Sequence, residues 1–175
     1  VIERIASHWG EPKKVGPQVN TKYHEVYASI SKKGNLFFQA DYPGKSLGAW
    51  DIFMAKKING QYSEPINLGS SVNNSFSDCV PYISPDESFI IFHSSRPGGF
   101  NQGHELYISF QNRDGNWTKA KNISKTININ DAVISSPYVS PDGKFLFFTR
   151  RQTGVFEYCW VDAKIIDELK PKDLK

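Results

Sequence analysis

A chain of 175 residues with a net charge of +3 is one domain's worth, and it holds no basic block of the kind that binds nucleic acid. Its 14% aromatic residues, ten Pro and thirteen Gly fit many short strands joined by turns. No run approaches the ~18 apolar residues of a membrane span, no charged-then-apolar leader opens the chain, and the start at Val1 reads as a mature or truncated end.

In chain order, residues 1–8 read as a lead-in and residues 9–15 as an outer strand with no sheet before it. A four-stranded unit is expected over 25–68, a second over 78–123, and a third over 135–161 that lacks its outer strand. Apolar residues at 163, 166 and 169 have helical spacing before Pro171, which predicts a short helix over 163–170. One turn repeats through these units: Ser31-Lys32-Lys33-Gly34, Ser84-Pro85-Asp86-Glu87 and Ser140-Pro141-Asp142-Gly143, stepping by 53 and 56 residues. That period suits a four-stranded propeller blade. Pro presets the first central position of a type I turn, and Asp and Gly suit the positions after it, so each copy closes a hairpin. The strands after the turns are apolar, and Phe37, Phe38, Phe89, Ile91, Phe92, Phe145, Phe147 and Phe148 are expected to carry the core. A third strand opens on an acid in each unit (Asp51, Glu105, Glu157), and the fourth segment is led by Trp9, Tyr62 or Trp117, with Pro12 and Pro65 suiting an outermost strand.

The order aromatic-x-x-Pro-x-x-Leu-Gly, Val-Asn, an acid, and then Pro-Tyr-Ile-Ser-Pro-Asp before an aromatic-rich strand resembles the WD-repeat-like β-propeller repeats of the TolB type, over roughly residues 9 to 163. The first unit departs by Lys-Lys for Pro-Asp, and the third by an extra residue between Asn128 and Ser140. The resemblance implies an all-β propeller that binds proteins, peptides or glycans, often outside the cytoplasm in bacterial envelopes; no cofactor is expected. Some relatives are attached to catalytic domains. Propellers need about four to eight blades to close, so three blades are expected either to be half of a roughly six-bladed ring in a longer protein or to pair with a second copy. Either way the spare strand at 9–15 is expected to lie antiparallel to 157–161 of a neighbour.

Loop lengths point to a working face. Connections from outer strand to the next inner strand (70–77, 125–134) and from second to third strand (41–49, 95–103) are long, whereas the others are tight turns, and binding sits on loops held by a rigid scaffold. The candidate ligand-binding residues there are His24, Glu25, Tyr42, Asp78, Arg96, Phe100, Asn101, His104 and Arg151, with Lys45 and Gln102 beside them. Val-Asn at 19–20 and 72–73, and Ile-Asn at 127–128, read as loop fasteners through the Asn side chain. The recurring acids read as scaffold acceptors.

Several motifs resemble chemistry without its context. Gly44-Lys45-Ser46-Leu47-Gly48 satisfies G-x-S-x-G, but a nucleophile elbow needs a strand-to-helix turn and this run joins two strands. The four His lack metal-ligand spacing, and Asn112-x-Asp114-x-Asn116 lacks the terminal Glu of a calcium loop, so no metal is expected. Asn73, Asn116 and Asn122 open glycosylation patterns, which matter only in a eukaryotic source. Cys79 and Cys159 read as two free thiols. The expectation is a non-enzymatic binding propeller or half-propeller with a protein, peptide or glycan ligand, either as a homo-oligomer or as part of a longer chain. The alternative is the propeller part of a hydrolase or lyase-like enzyme, with His24 beside Glu25 or His104 beside Glu105 as the asymmetric pairs.

Overall fold

The structure is a computed structural model that describes residues 4–5, 7–97, 104–127 and 132–174. Phe100, Asn101, Gln102 and Asn128 lie outside the described residues. The fold is all-β, built from antiparallel sheets in a partial propeller. A short hairpin pairs β1 (Arg4–Ile5) with β2 (His8–Trp9). Sheet one runs β3 (Glu25–Ile30), β4 (Leu36–Ala40), β5 (Asp51–Ala55) and, past the small hairpin β6 (Lys57–Ile58) and β7 (Gln61–Tyr62), β8 (Ile66–Asn67). Sheet two runs β9 (Asp78–Ile83), β10 (Phe89–Ser94), β11 (Glu105–Phe110) and β12 (Lys121–Asn122). Sheet three has β13 (Val133–Val139), β14 (Phe145–Gln152) and β15 (Val155–Asp162). The chain then enters α1 (Lys164–Leu169) and a 3-10 turn, η1 (Lys172–Leu174). Among the described residues no helix is long and apolar enough to cross a membrane.

The strands that open each sheet, β3, β9 and β13, pack side by side as the inner strands of the array. Each carries a bulge at the same place. Tyr27-Ala28 stands opposite Phe38, Val80-Pro81 opposite Phe92 and Ser136-Pro137 opposite Phe148, and Tyr27, Val80 and Ser136 take φ values of 52°, 50° and 54°. Left-handed backbone is costly for a non-glycine residue, most of all for β-branched Val80, so its threefold recurrence marks a feature imposed by packing. The bulge also explains how Pro81 and Pro137 sit inside strands, since the ladder is already interrupted there.

Alternation along the strands sends successive side chains to opposite sheet faces, and three cores result. Phe37 and Ile52 of sheet one meet Ile90, Phe92 and Tyr107 of sheet two, with Val72 between them. On the other side of sheet two, Ile91, Leu106, Ile108 and Phe110 meet Ile134, Leu146 and Phe148, joined by Ala163 at the start of α1 and by its Ile165 and Ile166. The remaining face of sheet one, Leu36, Phe38 and Phe53, is closed by Val15, Val19 and Tyr62.

Among the described residues, the last face of sheet three has no cover. Phe147 is 37%, Trp160 60% and Tyr158 88% exposed, whereas their register equivalents Ile91, Ile108 and Leu106 in sheet two are fully buried. The expectation that Phe147 is a core residue is corrected: its strand alternates as expected, but no other element among the described residues packs on that face. Phe89 and Phe145 are half-buried. Residues 10–15 form no strand here, because a strand needs a partner edge and sheet one already has its fourth strand in β8.

At the Ser84 turn, Glu87 takes a left-handed φ of 65° where the repeats have Gly34 and Gly143. The strain is offset by the bonds its carboxylate collects: Ser31 Oγ at 2.6 Å, Asn35 Nδ2 at 2.8 Å and Lys33 Nζ at 2.9 Å. This clasp ties the turns of sheets one and two. Burial works against the charge, but the three donors prevail and hold the carboxyl below the usual glutamate range.

Candidate functional site

The long-loop residues divide among three corners. In sheet two, Arg96 Nη2 donates to Asp78 Oδ1 and to the Val72 carbonyl, both at 2.6 Å, and its Nε donates to Ser94 Oγ at 2.8 Å. The guanidinium lies over Tyr107, 4.5 Å from the ring centre, and 5.3 Å from that of Phe92. Asp78 has no exposed side-chain surface and also accepts from the Asn74 N–H at 2.8 Å. Burial pushes its carboxyl up, against the pull of Arg96. This is a buried ion pair that pins two long loops to the sheet, so Asp78 presents nothing to a ligand.

Sheet one builds the same corner from other chemistry. Glu25 stands where Asp78 does and accepts from Thr21, while Tyr42 takes the place of Arg96. Tyr42 is buried, 4.8 Å from the Phe53 ring and 5.8 Å from Tyr23, and its hydroxyl has no hydrogen-bond partner among the described residues. Burial, and after it the Glu25 carboxylate, push the phenol well above its usual range. Tyr42 and Lys45 share a small cavity of about 210 Å³ with Thr21, Tyr23 and Glu64. His24 is not in it and packs against Trp50, 6.2 Å between ring centres. In sheet three the corner has Ile134 in place of an acid, and Arg151 is exposed over the Phe156 ring.

His104 turns its Nδ1 to His93 Nε2 at 3.3 Å with the rings stacked and nearly parallel, so one donates and the other accepts across the start of β11. Burial, then the charge of His104, lower His93 to about 4, which keeps it neutral at neutral pH. Glu105 is buried and accepts from Asn122 Nδ2, as Asp51 accepts from Asn67 Nδ2 at 2.6 Å and from the Leu47 and Gly48 N–H groups. Glu157, with no fourth strand beside it, is exposed and pairs with Arg150 at 2.5 Å. The acids therefore anchor loops where an outer strand exists. Asn73 is the matching fastener: its Oδ1 accepts from Ile52 N–H and its Nδ2 donates to the Ile52 carbonyl, each at 2.9 Å.

The look-alike motifs resolve into turn chemistry. Ser46 Oγ accepts from the Tyr42 N–H at 3.0 Å, and a Cβ on Gly48 would stand 1.8 Å from the Phe76 carbonyl oxygen, so Gly48 is required for the loops to touch. Asn112 Oδ1 accepts from the N–H groups of Asp114 and Asn116 within its own hairpin. Among the described residues no group of three His, Cys, Asp or Glu is placed to hold a metal. Cys79 and Cys159 are free thiols. Burial, then Asp78 and Asp51, push the Cys79 thiol up to about 12, which leaves it unreactive at neutral pH.

A cavity of about 850 Å³ lies at the opposite end of the inner strands. It is lined by Ala28–Ile30, 81–86 and 137–141, with Phe89, Ala163 and Ile166. Tyr82 and Tyr138 meet edge to face, 5.7 Å between ring centres, with Phe89 6.3 Å beyond Tyr82. Much of the polar lining is already used: Ser29 Oγ accepts from Ile83 N–H, Ser84 Oγ from Phe89 N–H, Ser140 Oγ from Phe145 N–H and Asp86 from Ser88. The rest is an apolar trough walled by the Tyr82 and Tyr138 rings, with Pro81 and Pro137 buried beneath them. Burial, then Tyr138 and Asp86, raise the Tyr82 phenol, so it stays a neutral donor. Sequence reasoning used the Pro-Tyr-Ile-Ser run as a mark of the repeat and missed it as a surface. The signal was its recurrence as Pro137-Tyr138-Val139-Ser140, two large rings at the same position of adjacent inner strands.

No family model matches the chain, and no curated protein does. Among solved structures it is similar to one assigned as a TolB of Agrobacterium tumefaciens, with a TM-score of 0.56 and 19% sequence identity over 81% of this chain. The chain spans 47% of that protein's length. At this identity the likeness shows a TolB-like propeller fold.

Proposed function

We propose that the chain is a non-enzymatic binding scaffold which takes an extended segment of a protein or peptide into the trough along its inner strands. The observation that carries this reading is the pairing of Tyr82 and Tyr138 with Pro81 and Pro137 in the cavity of about 850 Å³. Aromatic rings held on a rigid strand array by the buried Pro81 and Pro137 beneath them offer flat apolar contacts at low entropic cost, the surface chemistry used to recognise proline-rich and apolar peptides. A glycan needs many free donors and acceptors, and here the turn hydroxyls are engaged internally. The ligand thereby moves from the long-loop face to the opposite end, and an extracytoplasmic setting remains the setting implied by the sequence resemblance.

An array of immobilised ten-residue peptides probed with the chain tests it. Apolar and proline-rich peptides are expected to bind, Tyr138→Ala to abolish the signal, and Tyr42→Ala to leave it in place. Binding lost with Lys45→Ala and kept with Tyr138→Ala would return the site to the long loops.

A further inference from the structure

Residues 9–20 repeat the run 62–73 position by position: Glu11 and Glu64, Pro12 and Pro65, Gly16 and Gly69, Val19 and Val72, Asn20 and Asn73. The loops also fold alike. Val19 and Asn20 N–H donate to the Gly16 carbonyl at 3.2 and 2.8 Å, as Val72 and Asn73 donate to Gly69 at 3.1 and 2.9 Å. The second copy of the run holds a sheet: β8 pairs with β5, Leu68 N–H donates to the Ile52 carbonyl at 3.2 Å, and Asn73 grips both backbone groups of Ile52. Among the described residues the first copy pairs with no sheet. Asn20 Oδ1 turns back to the Val15 and Gly16 N–H groups, at 2.8 and 3.3 Å.

Sheet three is the counterpart, a sheet without that run. Its edge strand is β15, and Tyr158 stands opposite Thr149 as Ile52 stands opposite Gln39 and Leu106 opposite His93. The face beside the edge exposes Tyr158 and Trp160. The chain beyond β15 does not take the edge, because α1 packs into the core between sheets two and three and the Leu169 carbonyl accepts from Lys121 of β12 at 2.9 Å.

We propose that residues 9–20 of a second copy of this chain add as the missing fourth strand to β15, with Asn20 clasping the Tyr158 backbone. The second copy's sheet one then covers Phe147, Tyr158 and Trp160. Val19 keeps its seat on Phe38 and Phe53 and becomes the wedge of the new junction, as Val72 is the wedge between sheets one and two. Repeated about a two-fold axis, the contact closes six sheets into a ring, and one interface fills the open edge and the open face and turns Asn20 from its own loop to a strand, as Asn73 is turned. It does not rest on the peptide reading.

The register supplies a test. Asn67 stands opposite Phe53, and the equivalent pair across the interface is Lys14 opposite Cys159. Leu68 N–H bonding Ile52 makes this a non-hydrogen-bonded pair, in which side chains lie close enough for a disulfide. The full chain carrying Lys14→Cys and Cys79→Ser is expected to oxidise to a covalent dimer, seen on a non-reducing gel. The dimer should vanish when Cys159→Ser is added and be absent when the new thiol is placed at Lys22 instead. A chain that stays monomeric, a dimer that survives Cys159→Ser, or equal yields from Lys14→Cys and Lys22→Cys would each overturn the proposal, and the first would leave further blades of a longer chain as the occupant.

Discussion

Sheets two and three have one internal design and two fates. Both open on a strand bulged at a left-handed non-glycine residue, turn at Ser-Pro-Asp, and place an aromatic-rich strand second. In sheet two both faces are covered and the long loops are pinned by Asp78 and Arg96. In sheet three one face and one edge are open, the pin is gone, and Glu157 has drifted into a surface ion pair. A blade's apolar pattern thus specifies two faces for burial, and whether both are buried depends on neighbours.

Substitutions at matched positions sharpen the contrast. Arg96→Ala strands a buried carboxylate and is expected to cost about 3–5 kcal/mol in urea denaturation, whereas exposed Gln152→Ala, at the equivalent place, should stay within about 0.5 kcal/mol. Equal losses would mean that the Asp78 corner is not what holds sheet two. Ile108→Ala should cost about 2–5 kcal/mol by leaving a cavity. Its counterpart Trp160→Ala is expected to cost far less in dilute protein and to act on assembly instead.

The sequence made the strands and turns legible because their causes are local. Ser140-Pro141-Asp142-Gly143 needs no neighbour to be a turn, and residues 25–30 and 78–83 fall within the strands observed. The bulges were not legible, since Tyr27, Val80 and Ser136 share no side-chain chemistry that favours left-handed backbone; only the packing of inner strands imposes it. Phe147 was misjudged for a related reason: period-two alternation marks an apolar face but not its cover. Of the site, Arg96 and Asp78 were named as loop residues, and their mutual pairing across 18 positions belongs to no motif. The Tyr82 and Tyr138 trough was hidden in the repeat's own signature.

Smaller effects are expected at the loop fastener and the turn clasp. Asn73→Ala leaves a buried backbone N–H of Ile52 without its acceptor and is expected to cost about 1–3 kcal/mol, whereas Asn20→Ala in dilute protein should cost under about 1 kcal/mol. The smallest concerns pH. The carboxyl of Glu87 is held below its unfolded value, so its stabilisation is present above the ordinary glutamate range near ~4.3 and is lost as pH falls through the depressed folded value. Acid titration of stability should be shallower in Glu87→Gln than in the parent. Lys33 is mostly exposed and contributes little to the difference. Identical acid curves would rule out the clasp as a source of stability.

The central claim is that the open side of sheet three and the run 9–20 are two halves of one contact. Sedimentation equilibrium of the unmodified chain over a dilution series reads it most directly. The predicted result is a particle of two chains that dissociates on dilution, with Asn20→Ala and Trp160→Ala each shifting the midpoint to higher concentration. A single-chain mass at every concentration would contradict it, as would a dimer indifferent to both substitutions.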